Sequence, residues 1–133
     1  VALYDRVDLF DLASRKVMQL YRDVYEPNYT QAYGHFEEIV ALYAEEKIFP
    51  PEQKLFKKFY SEKHLHAVLE DKTGREEVAV LFHKQLPEDG RALRLHHLVP
   101  FRLGQRDYVI SCVQTINENI ITAVTAALAE DEE

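Results

Sequence analysis

The sequence has a single cysteine, Cys112, and no tryptophan. One cysteine cannot close a disulfide within the chain, which excludes the disulfide-stapled scaffolds of small secreted proteins. The sequence also has no apolar run near the length of about 18 residues that a membrane-spanning helix needs. The first ten residues carry charges at Asp5, Arg6 and Asp8 and lack the apolar core of a signal peptide. We therefore expect a cytoplasmic protein with no membrane partner.

Glycine is also scarce, and the four glycines, at positions 34, 74, 90 and 104, lie far apart in the sequence. A phosphate-binding loop needs clustered glycines so that backbone N–H groups can approach the anion, so P-loop and Rossmann nucleotide sites are excluded. The spacings typical of zinc proteases, zinc ribbons, nucleophile elbows and EF-hands are absent as well. The sequence therefore predicts no catalytic residue and no cofactor.

What the sequence does have is an ordinary globular composition: 133 residues, of which 47% are hydrophobic and 29% are charged. This size and composition predict one domain spanning residues 1–133. The formal net charge is −7, and residues 130–133 are all acidic. Repulsion between like charges disfavours nucleic acid as a partner. We expect instead a protein partner or a second copy of the chain.

Helical spacing dominates the first 62 residues. Apolar side chains recur every three or four residues over about 5–25, again over 28–47 and again over 51–62. Prolines at positions 27, 50 and 51 separate these segments, since proline lacks the N–H that a helix interior needs. The pattern predicts three N-terminal helices over about 5–62.

Alternation with a period of two follows over about 63–114 and predicts four strands, at 63–69, 78–82, 91–99 and 108–114. Glycine-containing turns at 71–75 and 87–90 join the first three strands as hairpins, and Pro100 is expected to end the third. A final helix is predicted over about 116–130, with Ile120, Ile121, Val124 and Leu128 facing inward. The predicted fold is α+β: three N-terminal helices, a four-stranded antiparallel sheet built from hairpins, and a C-terminal helix.

Histidines are the only candidate metal ligands. His64 and His66 would share one face of the first predicted strand, and a four-residue hairpin loop would place His83 beside them. Such a cluster of imidazoles could bind a zinc ion. The shorter glycine turn favours the register that puts His83 on the opposite face. The three histidines are therefore weighed as metal candidates, but no metal site is predicted.

Two further sets of residues are candidates for binding. Tyrosines recur every four residues, and their amphipathic rings suit a protein interface or a ligand pocket, although filling the core is the commoner role: Tyr21, Tyr25, Tyr29 and Tyr33. Arginines lie in the stretch 91–106, which has no acidic residue and could bind an anion or RNA, although a solvated surface is the simpler interpretation: Arg91, Arg94, Arg102 and Arg106.

Three hypotheses about function follow. The leading one is a non-catalytic binding or regulatory module that acts by protein–protein contact or self-association, because catalytic motifs are absent while residue types enriched at interfaces are present. The second is a cone-shaped α+β protein that holds a small ligand, or performs simple acid/base chemistry, between its helices and its sheet. The third is anion or RNA binding through residues 91–106.

Overall fold

The structure, a computed structural model, describes residues 4–29 and 35–131. Two strands come first: β1 (Arg6–Asp11) and β2 (Lys16–Arg22). Three helices follow, with a 3-10 turn at Pro50–Glu52 before the second: α1 (Phe36–Lys47), α2 (Gln53–Phe59) and α3 (Glu62–Glu70). Three strands and a helix complete the order: β3 (Ala79–Gln85), β4 (Arg91–Leu103), β5 (Arg106–Thr115) and α4 (Glu118–Asp131).

The five strands form one antiparallel sheet in the order β2-β1-β5-β4-β3. This confirms the predicted α+β class and the antiparallel sheet. The predicted arrangement is wrong, because the sheet has five strands rather than four and the helices follow a hairpin instead of preceding every strand. The first and last strands are neighbours in the middle of the sheet.

The helix predicted over 5–25 is wrong, because this segment forms the β1–β2 hairpin. Its apolar residues do recur at helical intervals, but Phe10 and Val17 are cross-strand partners that pack against the core. The turn between the strands has no glycine or asparagine to mark it. Instead the Asp11 carboxylate accepts hydrogen bonds from two backbone N–H groups of the turn, and Arg15 adopts a φ of 59°.

The strand predicted at 63–69 is also wrong, because α3 occupies this segment. The hydroxyl of Ser61 caps the helix by accepting a hydrogen bond from the His64 N–H at 3.2 Å. Leu65 and Val68 are buried at a three-residue interval, which places them on one helical face. The hairpin predicted across 71–75 therefore does not form, and the Asp71 carboxylate accepts backbone hydrogen bonds within a loop.

β4 continues through Pro100, where the sequence predicts an end. The Leu98 N–H donates to the carbonyl of Val78, so alternate N–H groups of β4 point toward β3. Ala79, the first residue of β3, pairs with His97, so Pro100 lies beyond the segment of β4 that pairs with β3. The N–H that Pro100 lacks would therefore not have taken part in the ladder between β3 and β4. Pro100 keeps its pairing with Val109 of β5 on the other side.

The two faces of the sheet differ. Helices α1–α3 cover one face, which we call the inner face, and the core between them is rich in aromatic rings: Phe10, Phe36, Tyr43, Phe56, Phe59, Tyr60 and Phe82. The predicted C-terminal helix is confirmed as α4, but its apolar positions do not face inward, since α4 has no buried residue.

Candidate functional sites

The outer face of the sheet is largely apolar, with His97 and Gln114 as polar residues opposite Cys112 and Leu95. Cross-strand partners carry their side chains on the same face, so the strand register gives its composition. One row crosses four strands through Met18, Leu9, Ile110 and Val99. At the two ends of this row Met18 is 61% exposed and Val99 is 39% exposed. The row therefore presents apolar side chains to solvent across most of the sheet.

Neighbouring rows extend this surface. The rings of Phe101 and Tyr108 stack with their centroids 5.2 Å apart, and Leu81 lies opposite Leu95. A shallow depression of about 600 Å³ lies beside Tyr108 at the edge formed by β2. We use the name outer face for the whole surface: Val7, Leu9, Met18, Leu81, Leu95, Val99, Phe101, Tyr108, Ile110 and Cys112.

Helix α4 presents a second apolar surface. It has no charged residue from position 119 to position 129, and Ile121, Val124 and Leu128 recur at intervals of three and four, which aligns them on one stripe. All three are exposed. The helix is tied to the sheet at its start, where the carboxylate of Glu118 lies 3.6 Å from Nε2 of His83. The apolar stripe is therefore open to a partner.

A cluster of charges is buried beneath α1. The carboxylate of Glu26 pairs with the guanidinium of Arg94, and it accepts further hydrogen bonds from Nζ of Lys84 at 2.6 Å and from the Tyr43 hydroxyl at 3.1 Å. Burial alone would raise the pKa of Glu26, but the hydrogen bond and charge of Arg94, together with Lys84, lower it to about 2. Glu26 is therefore ionised and holds the loop after β2 against the sheet.

Beside these charges runs a chain of neutral hydrogen bonds. The Tyr60 hydroxyl lies 2.7 Å from Nδ1 of His96 and 2.7 Å from the Ser111 hydroxyl. Burial, together with the nearby charge of Arg94, lowers the pKa of His96 to about 3, and burial raises the pKa of Tyr60. Both groups are therefore neutral at pH 7. This is expected, because burying a charge that has no compensating partner is costly.

A cavity of about 40 Å³ lies between the inner face and helices α1 and α2. Its polar wall consists of six side chains: Arg6, Asp8, Tyr43, Tyr60, His96 and Ser111. Sites for drug-sized ligands usually measure about 300–1,000 Å³, whereas about 15 Å³ suffices for one water molecule. The cavity therefore fits a molecule of a few heavy atoms and is too small for a nucleotide. It is far smaller than the pocket that the cone hypothesis requires for a larger ligand.

The candidate tyrosines do not share one site. Tyr21 lies at the exposed edge of the sheet in β2, and Tyr25 projects from the loop that Glu26 anchors. Tyr29 directs its hydroxyl to the carboxylate of Glu46 and packs against the core. Tyr33 lies outside the described residues. Tyr21 and Tyr25 are thus available for contact with a partner, whereas Tyr29 is engaged within the fold.

The candidate arginines do not converge either. Arg94 is buried in the ion cluster, Arg91 lies over the ring of Phe49 at 4.3 Å, and Arg102 and Arg106 pair with nearby carboxylates. Arg91 and Arg102 both belong to β4 and are separated by roughly 35 Å of extended strand. One anion therefore cannot contact all four side chains.

The candidate histidines are held by different neighbours. His64 and His66 lie on α3 rather than on a strand, and His83 lies on β3. Nδ1 of His64 is 2.7 Å from the carbonyl of Phe59, and Nδ1 of His83 is 2.9 Å from the Glu52 carboxylate. Within ranges 4–29 and 35–131 no three His, Cys, Asp or Glu side chains are grouped to hold a metal ion.

The residues of the cavity and, apart from Arg94, those of the ion cluster were not among the candidates from the sequence. Asp8, His96 and Ser111 come together through the strand register. Glu26 and Tyr60 lie outside the strands and reach the sheet from the loop after β2 and from the end of α2. One local signal existed, since Arg6 and Asp8 alternate with Val7 and Leu9 as the side chains of a strand do. That alternation places charges on the covered face, which is the reverse of the usual pattern.

No protein-family model matches this chain, and no curated protein is significantly similar to it. None of the helices in the described part of the chain combines the length and the apolar character needed to cross a membrane. The outer face, α4 and the buried cavity are therefore the features from which a function can be inferred.

Proposed function

We propose that this chain is a non-catalytic binding module that acts by self-association, in which two copies pair through the outer face and α4. The observation that carries the proposal is the apolar row Met18, Leu9, Ile110 and Val99, which crosses four strands and ends in exposed side chains. Contiguous exposed apolar surface of this kind marks interaction sites in soluble proteins.

The available area suits a stable pair. Five strands of about seven residues make a face of roughly 500 Å², from strand spacings of about 4.8 Å and a rise of about 3.3 Å per residue. The 14 residues of α4 add a helix about 21 Å long and about 10 Å wide, or roughly 200 Å². A standard interface takes about 800 Å² from each partner. The outer face and α4 together approach this size.

The charge distribution favours a second copy as the occupant. The chain carries a net charge of −7, so two copies repel unless their contact surfaces are neutral. The apolar residues of the outer face and the middle of α4 are uncharged, and the rim of the outer face holds both signs in Lys16, Asp11 and Arg106. In a two-fold pair the same patch meets itself, and a rim of mixed sign can then match positive with negative residues.

The test is sedimentation velocity over a wide range of protein concentration. We expect a reversible dimer in the unmodified chain. Val99→Glu places a charge in the apolar row, and Leu128→Glu places one in the stripe of α4. Each should raise the dissociation constant at least about tenfold, because the contact would then bury two like charges.

Leu55→Glu is the matched control. Leu55 is 62% exposed, close to the 59% of Leu128, but it lies on α2, which covers the inner face. It should leave the dissociation constant unchanged. A chain that stays monomeric at the highest concentration, or an equal weakening by all three substitutions, would overturn the proposal.

A further inference from the structure

Asp8 leaves one carboxylate oxygen without a protein partner. Its Oδ2 pairs with Nε of Arg6, whereas no described residue hydrogen-bonds Oδ1, although the side chain is only 8% exposed. Asp8 also lines the cavity of about 40 Å³. A buried acceptor that is left unpaired is destabilising, so a hydrogen-bond donor in the cavity would be favoured at this position.

The ligand must therefore supply a hydrogen-bond donor to Oδ1 of Asp8. A hydroxyl group donates one hydrogen bond and carries no charge, so it is a small neutral donor for this atom. Gln19 also has a buried Nε2 without a partner among the described residues, but it borders the depression at the β2 edge and is not among the residues that line this cavity.

The rest of the cavity restricts the ligand further. Tyr60, His96 and Ser111 already bond to one another, and Arg6 and Asp8 already balance each other in charge. The remaining wall is apolar: Phe10, Val17, Ile39, Val40, Phe56 and Val113. A charged ligand would leave a net charge buried, which is costly. An apolar body attached to the hydroxyl would contact the remaining wall.

We propose that this cavity is a binding site for a small neutral alcohol, whose hydroxyl donates to Oδ1 of Asp8 and whose short aliphatic chain lies against the apolar wall. The volume sets a limit of about three heavy atoms, at about 15 Å³ for each water-sized group. This site is separate from the outer face, so it goes beyond self-association and does not depend on it.

The experiment follows backbone amide shifts of the isotope-labelled chain during titration with ethanol and, separately, with acetonitrile. Both probes have three heavy atoms, but only ethanol carries a hydroxyl. We expect saturable shifts at the amides of Asp8, Ser111 and Val113 with ethanol, and small, non-saturating shifts with acetonitrile. 1-Butanol should not bind the unmodified chain, because it exceeds the volume.

Two variants test the geometry. Asp8→Asn keeps the size of the side chain but removes the anionic acceptor, and it should weaken ethanol binding about tenfold or more. Asp107→Asn, a neutralised carboxylate on the surface of β5, is its control and should bind ethanol as the unmodified chain does. Val40→Ala enlarges the cavity and should admit 1-butanol, which keeps the proposal testable if Asp8→Asn does not fold.

Equal responses to ethanol and acetonitrile would overturn the proposal, because the hydroxyl would then play no part. Absence of saturable ethanol binding would also overturn it, and would leave a water molecule as the partner of Oδ1. Binding of 1-butanol to the unmodified chain as tightly as to Val40→Ala would contradict the assigned position.

Discussion

Glu26 and Arg94 form an ion pair in which each side chain is only 2% exposed, although 68 positions separate them in the sequence. Glu26 belongs to the loop after β2, whereas Arg94 belongs to β4. Removing both groups from water is costly, and each relies on the other for compensation. The pair therefore locks one particular packing of the loop against the sheet.

Replacing Glu26 with Gln should destabilise the fold by about 3–5 kcal/mol, because Arg94 and Lys84 then lose their buried counter-charge. Denaturant unfolding monitored by circular dichroism measures this change. Asp107→Gln breaks only the exposed pair with Arg102 and should cost less than about 1 kcal/mol. Equal losses of stability in the two variants would show that the buried ion pair of Glu26 contributes no more to stability than the exposed pair of Asp107.

His96 should make the stability depend on pH. Burial lowers its pKa from the ordinary value of 6.5 to about 3 in the fold, so the unfolded chain binds the proton more readily. The contribution of His96 is full above pH 6.5 and declines as the pH falls from 6.5 toward 3. Linkage predicts a loss of about 2 kcal/mol between pH 7 and pH 5.

The measurement is denaturant unfolding at pH 7, 6 and 5, compared with the same series for His96→Asn. Asparagine retains a polar group where Nδ1 meets Tyr60, but it does not titrate. The variant should therefore lose less stability than the unmodified chain over this range. Parallel pH profiles for the two proteins would contradict the assigned role of His96.

Tyr60→Phe should lower the free energy of unfolding by about 1–3 kcal/mol, because His96 and Ser111 both lose a buried hydrogen-bond partner. Tyr21→Phe is the control, since Tyr21 lies at the exposed edge of β2 and should change stability by less than about 0.5 kcal/mol. Denaturant unfolding of both variants in one buffer provides the comparison.

Cys112 offers a native probe of self-association. It is the only cysteine and lies on the outer face opposite Val7. If two outer faces meet, the rate at which a thiol reagent labels Cys112 should fall as the protein concentration rises. In Val99→Glu the rate should fall only at protein concentrations at least about tenfold higher. A rate that does not vary with concentration in the unmodified chain would place Cys112 outside any interface.

Ending the chain after Ile116 should leave the stability of the remaining fold within about 0.5 kcal/mol, because α4 buries none of its residues. The same truncation should weaken self-association, since it removes one of the two apolar surfaces. Unfolding at low concentration and sedimentation at high concentration separate the two effects. A large loss of stability in the monomer would mean that α4 packs against its own chain.

Elements whose local patterns agree with their surroundings were predictable from the sequence. The regions of α1 and α2, three of the five strands and α4 follow from hydrophobic spacing and from prolines and glycines between them. β1 and β2 were not predictable, because the sheet carries apolar side chains on its outer face and charges such as Arg6 and Asp8 on its inner face. That inversion keeps the alternation of β1 but reverses its usual sense, and the apolar intervals over 5–25 also fit a helix.

The candidate sites were less predictable than the fold. The leading hypothesis, a binding module acting by protein–protein contact or self-association, came from residue types, and the tyrosines that prompted it do not form the apolar row. Glu26, Arg94 and Lys84 lie in separate parts of the sequence and contact one another only in the folded chain. No spacing in the sequence predicts such a contact. Arg94 was a candidate for binding an external anion, and its partner is instead a carboxylate of the same chain.

β1 and β5 lie side by side at the centre of the sheet, although most of the chain separates them: the Asp5 N–H donates to the carbonyl of Val113 at 2.8 Å. During synthesis one edge of the β1–β2 hairpin therefore stays unpaired until β5 has left the ribosome. The same adjacency brings positions 4 and 116 near each other. A short linker between them, with new termini opened in the exposed loop around Gly74, should give a circular permutant that retains every strand pairing.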